Sequence, residues 1–535
     1  MIRNPILPGF NPDPSICRVG ADYYIATSTF EWYPGVQIHH SRDFVNWTLV
    51  TRPLTRASQL DMRGNPDSCG IWAPCLSHAD GLFWLVYTDV KRYSGNFKDT
   101  HNYIVTAPAI EGPWSDPVYV NSSGFDPSLF HDDDGRKWFM NMLWNHRSDV
   151  PGGQAKSPGF AGIVLQEWDA RSGRLVGEAK NVFRGSPLGL VEGPHLHKRR
   201  GWYYLTTAEG GTSYDHAVTM ARARHIDGPY EMHPQVHLLS SKDAPDAPLQ
   251  RAGHGQIVET PEGAVYHTHL CSRMVRPGVR LSPLGRETAI QKCRWGEDDW
   301  LYLEHGGVVP ALEVPAPDES VQPAPRAPSR HRFDGAQLPL DFQWLRTPQP
   351  ERLFTLTGQA LRLHGRESIG SWFEQSLVAR RQEDFVFAAE TELVFEPRSH
   401  QQFAGLTHYY NQHKYHLLAL TRHELHGRVL TLFSCAANWP DGRLSFPLAA
   451  PLPVPAAGPV RLGMDVDHER LQFRCALPDG PWQPLGPVLD ASLISDEAGR
   501  GAHGSFTGAF VGMVACDGSG AAAPADFARF DYLPG

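Results

Sequence analysis

The chain has 535 residues, a formal net charge of -9 and a pI near 6.3, with 41% hydrophobic and 11% aromatic residues. That length predicts two domains with substantial cores, and the acidic balance argues against a nucleic-acid partner. No run of 18 apolar residues is present, so no membrane-spanning helix is expected. The opening MIRNPILPGF lacks the apolar stretch and cleavage site of a secretory leader, so a cytoplasmic protein is expected.

In chain order, the first 300 residues repeat one short pattern: DPSI from Asp13, APCL from Ala73, DPSL from Asp126, EGPHL from Glu192 and HGQI from His254. After each comes a short turn and an aromatic-rich strand, such as DYYIATS, GLFWLVYTD or GWYYLTTAE. With the residue three before the closing Ile or Leu as anchor (13, 73, 126, 193, 254), the steps are 60, 53, 67 and 61 residues. A repeat of about 60 residues made of short strands reads as a propeller blade. Equivalent positions of all blades then face one axis, which gathers Asp13, Asp126, Glu192 and His254. Glu192 stands one place before its anchor, a looser match. Period-two runs and turn pairs such as Asp80-Gly81, Asp134-Gly135 and Asp227-Gly228 support strands, and helical periodicity is weak.

Val314 to Arg330 carries five prolines and reads as a stiff linker. Beyond it, alternating runs such as Phe385 to Phe395, Lys414 to Thr421 and Leu471 to Leu477 predict a two-sheet sandwich. The expected fold is therefore all-β: a five-bladed propeller over 1–313, a linker over 314–330 and a β-sandwich, jelly-roll domain over 331–535. The eight cysteines, at 17, 69, 75, 271, 293, 435, 475 and 516, have no CxxC spacing. Free buried thiols are expected, with a bridge between Cys69 and Cys75 as the minor alternative.

Three carboxylates converging on an aromatic-lined axis suit hydrolysis of an acetal. That reaction needs one acid for the leaving oxygen and one carboxylate for water or carbon. An Asp before Pro is also a common turn former, and aromatic residues also fill β-rich cores. The repetition in successive blades favours chemistry over both.

FNPDPSI, IWAP, GFDPSLF, VEGPHL and LGRETAIQ resemble glycoside hydrolase family 43, and GSFTGAFVGM extends the resemblance to its two-domain β-xylosidases. The resemblance implies a five-bladed propeller with a concanavalin-like sandwich and an inverting mechanism. It implies Asp13 as general base, Glu192 as general acid and Asp126 as the residue that tunes and orients the acid. It also implies Arg286, Trp72 and Phe30 around the sugar, and Phe506 from the sandwich as a further wall, with Phe510 buried in the next strand. His254 is implied at the axis, as a pocket residue and as a candidate ligand, through waters, of a divalent ion such as calcium. The chemistry itself requires no cofactor. The Gly/Pro-rich stretch Asn145 to Phe160 is expected to rim the pocket.

The expected activity is exo-acting release of xylose from the non-reducing end of β-1,4-xylo-oligosaccharides. Activity on α-L-arabinofuranosides, alone or in addition, is the near alternative, and a non-catalytic sugar-binding protein the remote one. A retaining fructosidase would call for a WMNDPNG-like start, which FNPDPSI is not. A homo-oligomer, dimer or tetramer, is an open expectation.

Overall fold

The computed structural model describes residues 1–147, 159–436, 443–499 and 505–535. Among these residues there are strands and two short 3-10 turns but no α-helix. Five antiparallel sheets follow one another along the chain. Their first strands are Ser15–Val19, Gly70–Ala79, Ser128–His131, Glu192–Arg199 and, in two pieces, Gln250–Gly253 and Ile257–Glu259. These first strands touch one another across blades one and two, two and three, three and four, and five and one, so they ring a central axis. The architecture is a five-bladed propeller.

Local chemistry accounts for the blades. In blade two, Gly70–Ala79 pairs with Leu82–Arg92 through a two-residue turn at Asp80-Gly81, both with positive φ (57° and 74°). That conformation matches the right-handed twist of a hairpin and selects Asp-Gly. The next strand, Asp99–Ala107, adds to the same hairpin, and burial of Leu85, Val86, Ile104 and Val105 fixes the register.

The ring is closed by the first eleven residues running beside blade five. Asn4 Nδ2 donates to Ile290 O (2.8 Å), Leu7 N to Thr288 O (3.1 Å) and Asn11 N to Arg286 O (2.9 Å). Ile2–Arg3 also pairs with Glu313–Val314. These bonds set the N-terminal segment, and Asp13 at its end, against the strand that follows Arg286.

The C-terminal region is a sandwich of two large antiparallel sheets around one apolar core that includes Leu393, Leu418, Leu462, Phe473, Met513 and Phe527. Ser329–His331 already pairs with Pro524–Pro534. The two domains share a sheet: Trp32–Tyr33 of blade one pairs with Gln343–Leu345 of the sandwich, and the Trp32 ring stacks on Phe510 at 3.7 Å between centroids. All eight cysteines are buried and none is in a disulfide, so Cys69 and Cys75 do not bridge. No helix among the described residues is long and apolar enough to cross a membrane.

Candidate active site

The five anchor positions share a backbone state. Asp13, Ala73, Asp126, Gly193 and His254 all have positive φ (57°, 37°, 55°, 58° and 42°), just before or at the start of the strand nearest the axis or, for Ala73, at a register irregularity within it. Non-glycine residues rarely adopt this region, and they persist there only where the surrounding structure holds them. At Gly193 the fit also demands glycine, because a Cβ would lie 2.8 Å from His254 Nε2. Glu192 is thus the residue before the anchor, at the first position of its strand. A register irregularity between Glu192 and His195 turns it toward the axis side.

The axis opens into a cavity of about 240 Å³, walled by Asp13, Asp126, Glu192, His254 and Arg286 and by the rings of Phe30, Trp72 and Phe506. Every site residue expected from the sequence lines this one space. Phe30 joins Trp72 because Phe30 and Ile71 exchange backbone hydrogen bonds (3.0 and 3.1 Å), which places the two rings 5.7 Å apart. Trp72 Nε1 donates to Ser68 O (3.0 Å), which fixes the indole. Phe10 backs Phe30 from behind, with ring centroids 5.7 Å apart.

The carboxylates differ in their partners. Asp13 Oδ1 accepts from Arg286 Nη1 (2.8 Å) and Oδ2 from Ser28 Oγ (2.6 Å), while Ser28 Oγ also accepts from Ala73 N (2.7 Å). Both oxygens are therefore held by hydrogen-bond donors. Glu192 is as buried as Asp13, yet no hydrogen bond among the described residues stabilises its charge. Burial first, then the like charge of Asp13, pushes its carboxyl up to about 8, against the opposing charges of Arg286 and Lys98. Asp126 is also raised well above the usual carboxylate range, by burial first and then by Glu192 and Asp13. Asp126 Oδ2 accepts from Gly193 N (3.1 Å), so it holds the backbone immediately beyond Glu192.

His254 is buried, which lowers its pKa and favours the neutral ring. Its Nδ1 lies 3.6 Å from Asp13 Oδ1, and Gly193 crowds its Nε2. Among the described residues no three His, Cys, Asp or Glu side chains are disposed to hold a metal ion. Direct protein coordination of a cation at His254 does not fit this surrounding, and no chemical step is routed through one.

The sandwich supplies one wall. Phe506 O accepts from Arg286 Nη2 (3.0 Å), and Phe506 N donates to Ser68 Oγ (3.2 Å). The next residue is tied back into the sandwich: Thr507 N donates to Tyr410 OH (2.9 Å), and Tyr410 OH donates to Asp496 Oδ1 (2.6 Å). Asp496 Oδ2 in turn receives Arg251 Nη1 of the propeller (2.9 Å), an ion pair with both side chains buried. Gly285, with φ of 69°, lets the chain before Arg286 meet Thr507; a Cβ there would lie 2.2 Å from Thr507 O. Phe510 is fully buried. Gly504 of the GSFTGAFVGM motif lies outside the described residues, as does most of the rim stretch, residues 148–158; its last residue, Phe160, lines the cavity.

Sequence reasoning missed Tyr93, Lys98, Phe125, Leu190 and Thr212, which also line the cavity. Lys98 Nζ sits 4.3 Å from the centroid of Trp144 and donates to Tyr93 O. Nothing in the polar stretch RYSGNFKDT marks Lys98 as different from any loop lysine. Phe125 stood inside the GFDPSLF motif beside Asp126 and was legible there.

Known proteins agree with this geometry. The family model described as glycosyl hydrolases family 43 matches residues 2–301, and the β-xylosidase C-terminal concanavalin A-like domain matches residues 330–533. The chain is 59% identical to "Xylosidase/arabinosidase 43B" of Humicola insolens, over 100% of this chain and 98% of that protein. It is 47% identical to the β-xylosidase of Bacillus subtilis, over 99% of each. The crystal structure of a xylan β-1,4-xylosidase from Bacillus halodurans superposes with a TM-score of 0.95 at 50% identity, covering all of both chains. With a matching family model over each half and the acid residues on one axis, the chain belongs to glycosyl hydrolase family 43, in its two-domain β-xylosidase form.

Proposed function

We propose that this enzyme is an exo-acting β-1,4-xylosidase that removes xylose from the non-reducing end of xylo-oligosaccharides with inversion. The observation that carries the reading is the cavity itself. At about 240 Å³ it is smaller than the roughly 300–1,000 Å³ of drug-sized sites, and Phe506 walls it, so it suits one sugar ring rather than a long chain. The ring faces of Trp72, Phe30 and Phe506 suit the apolar C–H face of a pyranose.

In the proposed step the protonated Glu192 gives its proton to the glycosidic oxygen as the C1–O bond breaks. Asp13 takes a proton from a water that attacks C1 from the opposite face, and the bond from C1 to that water oxygen forms. The products are α-xylose and the shortened chain; Glu192 is left ionised and Asp13 protonated, and solvent exchange restores both. Burial keeps Glu192 protonated near neutral pH, while Arg286 and Ser28 direct hydrogen-bond donors at the two oxygens of Asp13. Asp126 orients the acid through Gly193 N.

A second reading, action on α-L-arabinofuranosides as well, draws on the double name of the Humicola insolens relative. Xylobiose and an aryl α-L-arabinofuranoside assayed side by side decide it. Free xylose from xylobiose supports the proposal, and turnover of the arabinofuranoside alone would replace it. The reaction as proposed calls for no cofactor. A calcium ion held through water near His254 would be an activator, and activity lost to EDTA and restored by calcium is its sign. A cytoplasmic site of action, on imported oligosaccharides, fits an enzyme that takes short chains; fractionation of the native cells tests it.

A further inference from the structure

A second cavity, of about 670 Å³, is lined by residues of both the propeller and the sandwich. Its walls include six arginines, Arg3, Arg52, Arg273, Arg326, Arg380 and Arg381. Four acids answer three of them. Arg273 pairs with Glu287 (2.7 Å), Arg326 with Glu383 (2.5 Å) and Asp384 (3.1 Å), and Arg380 with Asp341 and Glu383 (both 3.1 Å).

Arg52 and Arg381 are different. They are only 6% and 3% exposed, and neither makes an ion pair among the described residues. Arg52 comes from the propeller; its Nε and Nη2 donate to Gln37 Oε1 (3.1 and 2.7 Å) and its Nη1 to Phe342 O (3.3 Å). Arg381 comes from the sandwich strand Ser376–Arg381; its Nε donates to Phe10 O and its Nη1 to Gln343 Oε1 (both 2.5 Å). Among the described residues Arg381 Nη2 has no hydrogen-bond partner, and neither has Arg380 Nε or His39 Nδ1 on the same walls. Every acceptor that the two guanidiniums do have is neutral. A guanidinium stays charged in proteins, and the opposing charges that reach these two, Asp341 for Arg52 and Glu383 for Arg381, are already paired with Arg380. Burial first, then Arg52, pushes Arg381 well below its ordinary range against the opposing charge of Glu383, and burial takes Arg52 down to about 9 against that of Asp341.

We infer that this cavity is an anion site, in which a small oxyanion of the phosphate or carboxylate class sits between Arg52 of the propeller and Arg381 of the sandwich and clamps the two domains together. Arginine forks match such anions in geometry as well as in charge. The site also communicates with the catalytic loop. Arg381 holds Phe10 O, and Gln37, held by Arg52, donates to Asn11 Oδ1 (2.9 Å), two residues before Asp13.

The test is a thermal-unfolding titration of the full-length enzyme with inorganic phosphate, against sodium chloride at matched ionic strength, with malonate in a parallel arm. Either oxyanion should give a saturable rise in Tm of about 3 °C beyond chloride, and the better of the two names the class. The rise should persist in saturating xylose, which occupies the sugar pocket, and should vanish in Arg381→Gln and in Arg52→Gln. Should one variant fail to fold, the other and the wild-type titration still decide. No rise beyond chloride, a rise abolished by xylose, or an equal rise in a folded variant would each overturn the inference.

Discussion

Asp13 and Glu192 share one pocket and nearly the same burial, 5% and 8% exposed, yet they sit in opposite surroundings. The Asp13 side is a nest of donors: a guanidinium, a hydroxyl, and the backbone that orients that hydroxyl. Glu192 has no such donor among the described residues, and it faces the like charge of Asp13 as well as the opposing charges of Arg286 and Lys98. The difference teaches that burial alone does not set a carboxyl's role. What differs is whether hydrogen-bond donors meet the carboxyl oxygens, and that difference underlies the proposed division into a base and an acid.

The comparison breaks most visibly in substrates of different leaving-group quality. A sugar alkoxide needs a proton as it leaves, whereas 4-nitrophenolate needs little. Glu192→Ala should lower kcat on xylobiose by about 10³-fold or more but on 4-nitrophenyl xyloside by far less, while Asp13→Ala should lose a similar factor on both. Equal losses in Glu192→Ala would remove it as the acid. Wild-type kcat/KM should also fall on the alkaline side near pH 8, as Glu192 gives up its proton.

A smaller effect is expected on the sandwich side. Phe506→Ala should lower kcat/KM on xylobiose about tenfold, the scale of one lost aromatic contact, with Tm nearly unchanged because the ring is only partly buried. Tyr410→Phe removes the hydroxyl that accepts from Thr507 N and donates to Asp496. Acting only through Phe506, it should raise KM about threefold with little change in kcat, an order-of-magnitude expectation for one lost hydrogen bond. Normal kinetics in both variants would make this loop structural only.

The smallest effect concerns stability. Burial raises Glu192 from its ordinary carboxyl range to about 8. The folded state therefore keeps a proton that the unfolded chain has already lost, and stability falls as pH rises from about 4.5 to about 8. Glu192→Gln cannot ionise. Its Tm should match the wild type at pH 4 and exceed it by ~2 °C at pH 9, with the gap opening across that window. A gap that closes with rising pH would contradict the raised carboxyl.

Much of this site was legible in the sequence because a propeller turns sequence period into spatial convergence. The spacing of Asp13, Asp126 and His254 sufficed to bring them to one axis, and the one-residue offset at Glu192 has a physical reason: the positive-φ anchor is Gly193, pressed against His254. Phe506 and Arg286 came from family motifs rather than from periodicity. What was not legible depends on contacts between distant segments. Arg251 and Asp496 form a buried pair across the domain boundary, Trp32–Tyr33 leaves blade one to join the sandwich sheet, and Arg52 meets Arg381 at a cavity. Each of these residues reads locally as an ordinary turn, strand or surface charge, and only the docking of the two domains gives it a partner.

The division of roles between Asp13 and Glu192 is tested most directly by the anomeric form of the first product. If Asp13 activates water and Glu192 only donates a proton, proton NMR of the earliest xylose released from xylobiose should show the α-anomer, with β-xylose appearing later by mutarotation. β-Xylose as the first product would mean that a carboxylate attacks the sugar, and would contradict the account.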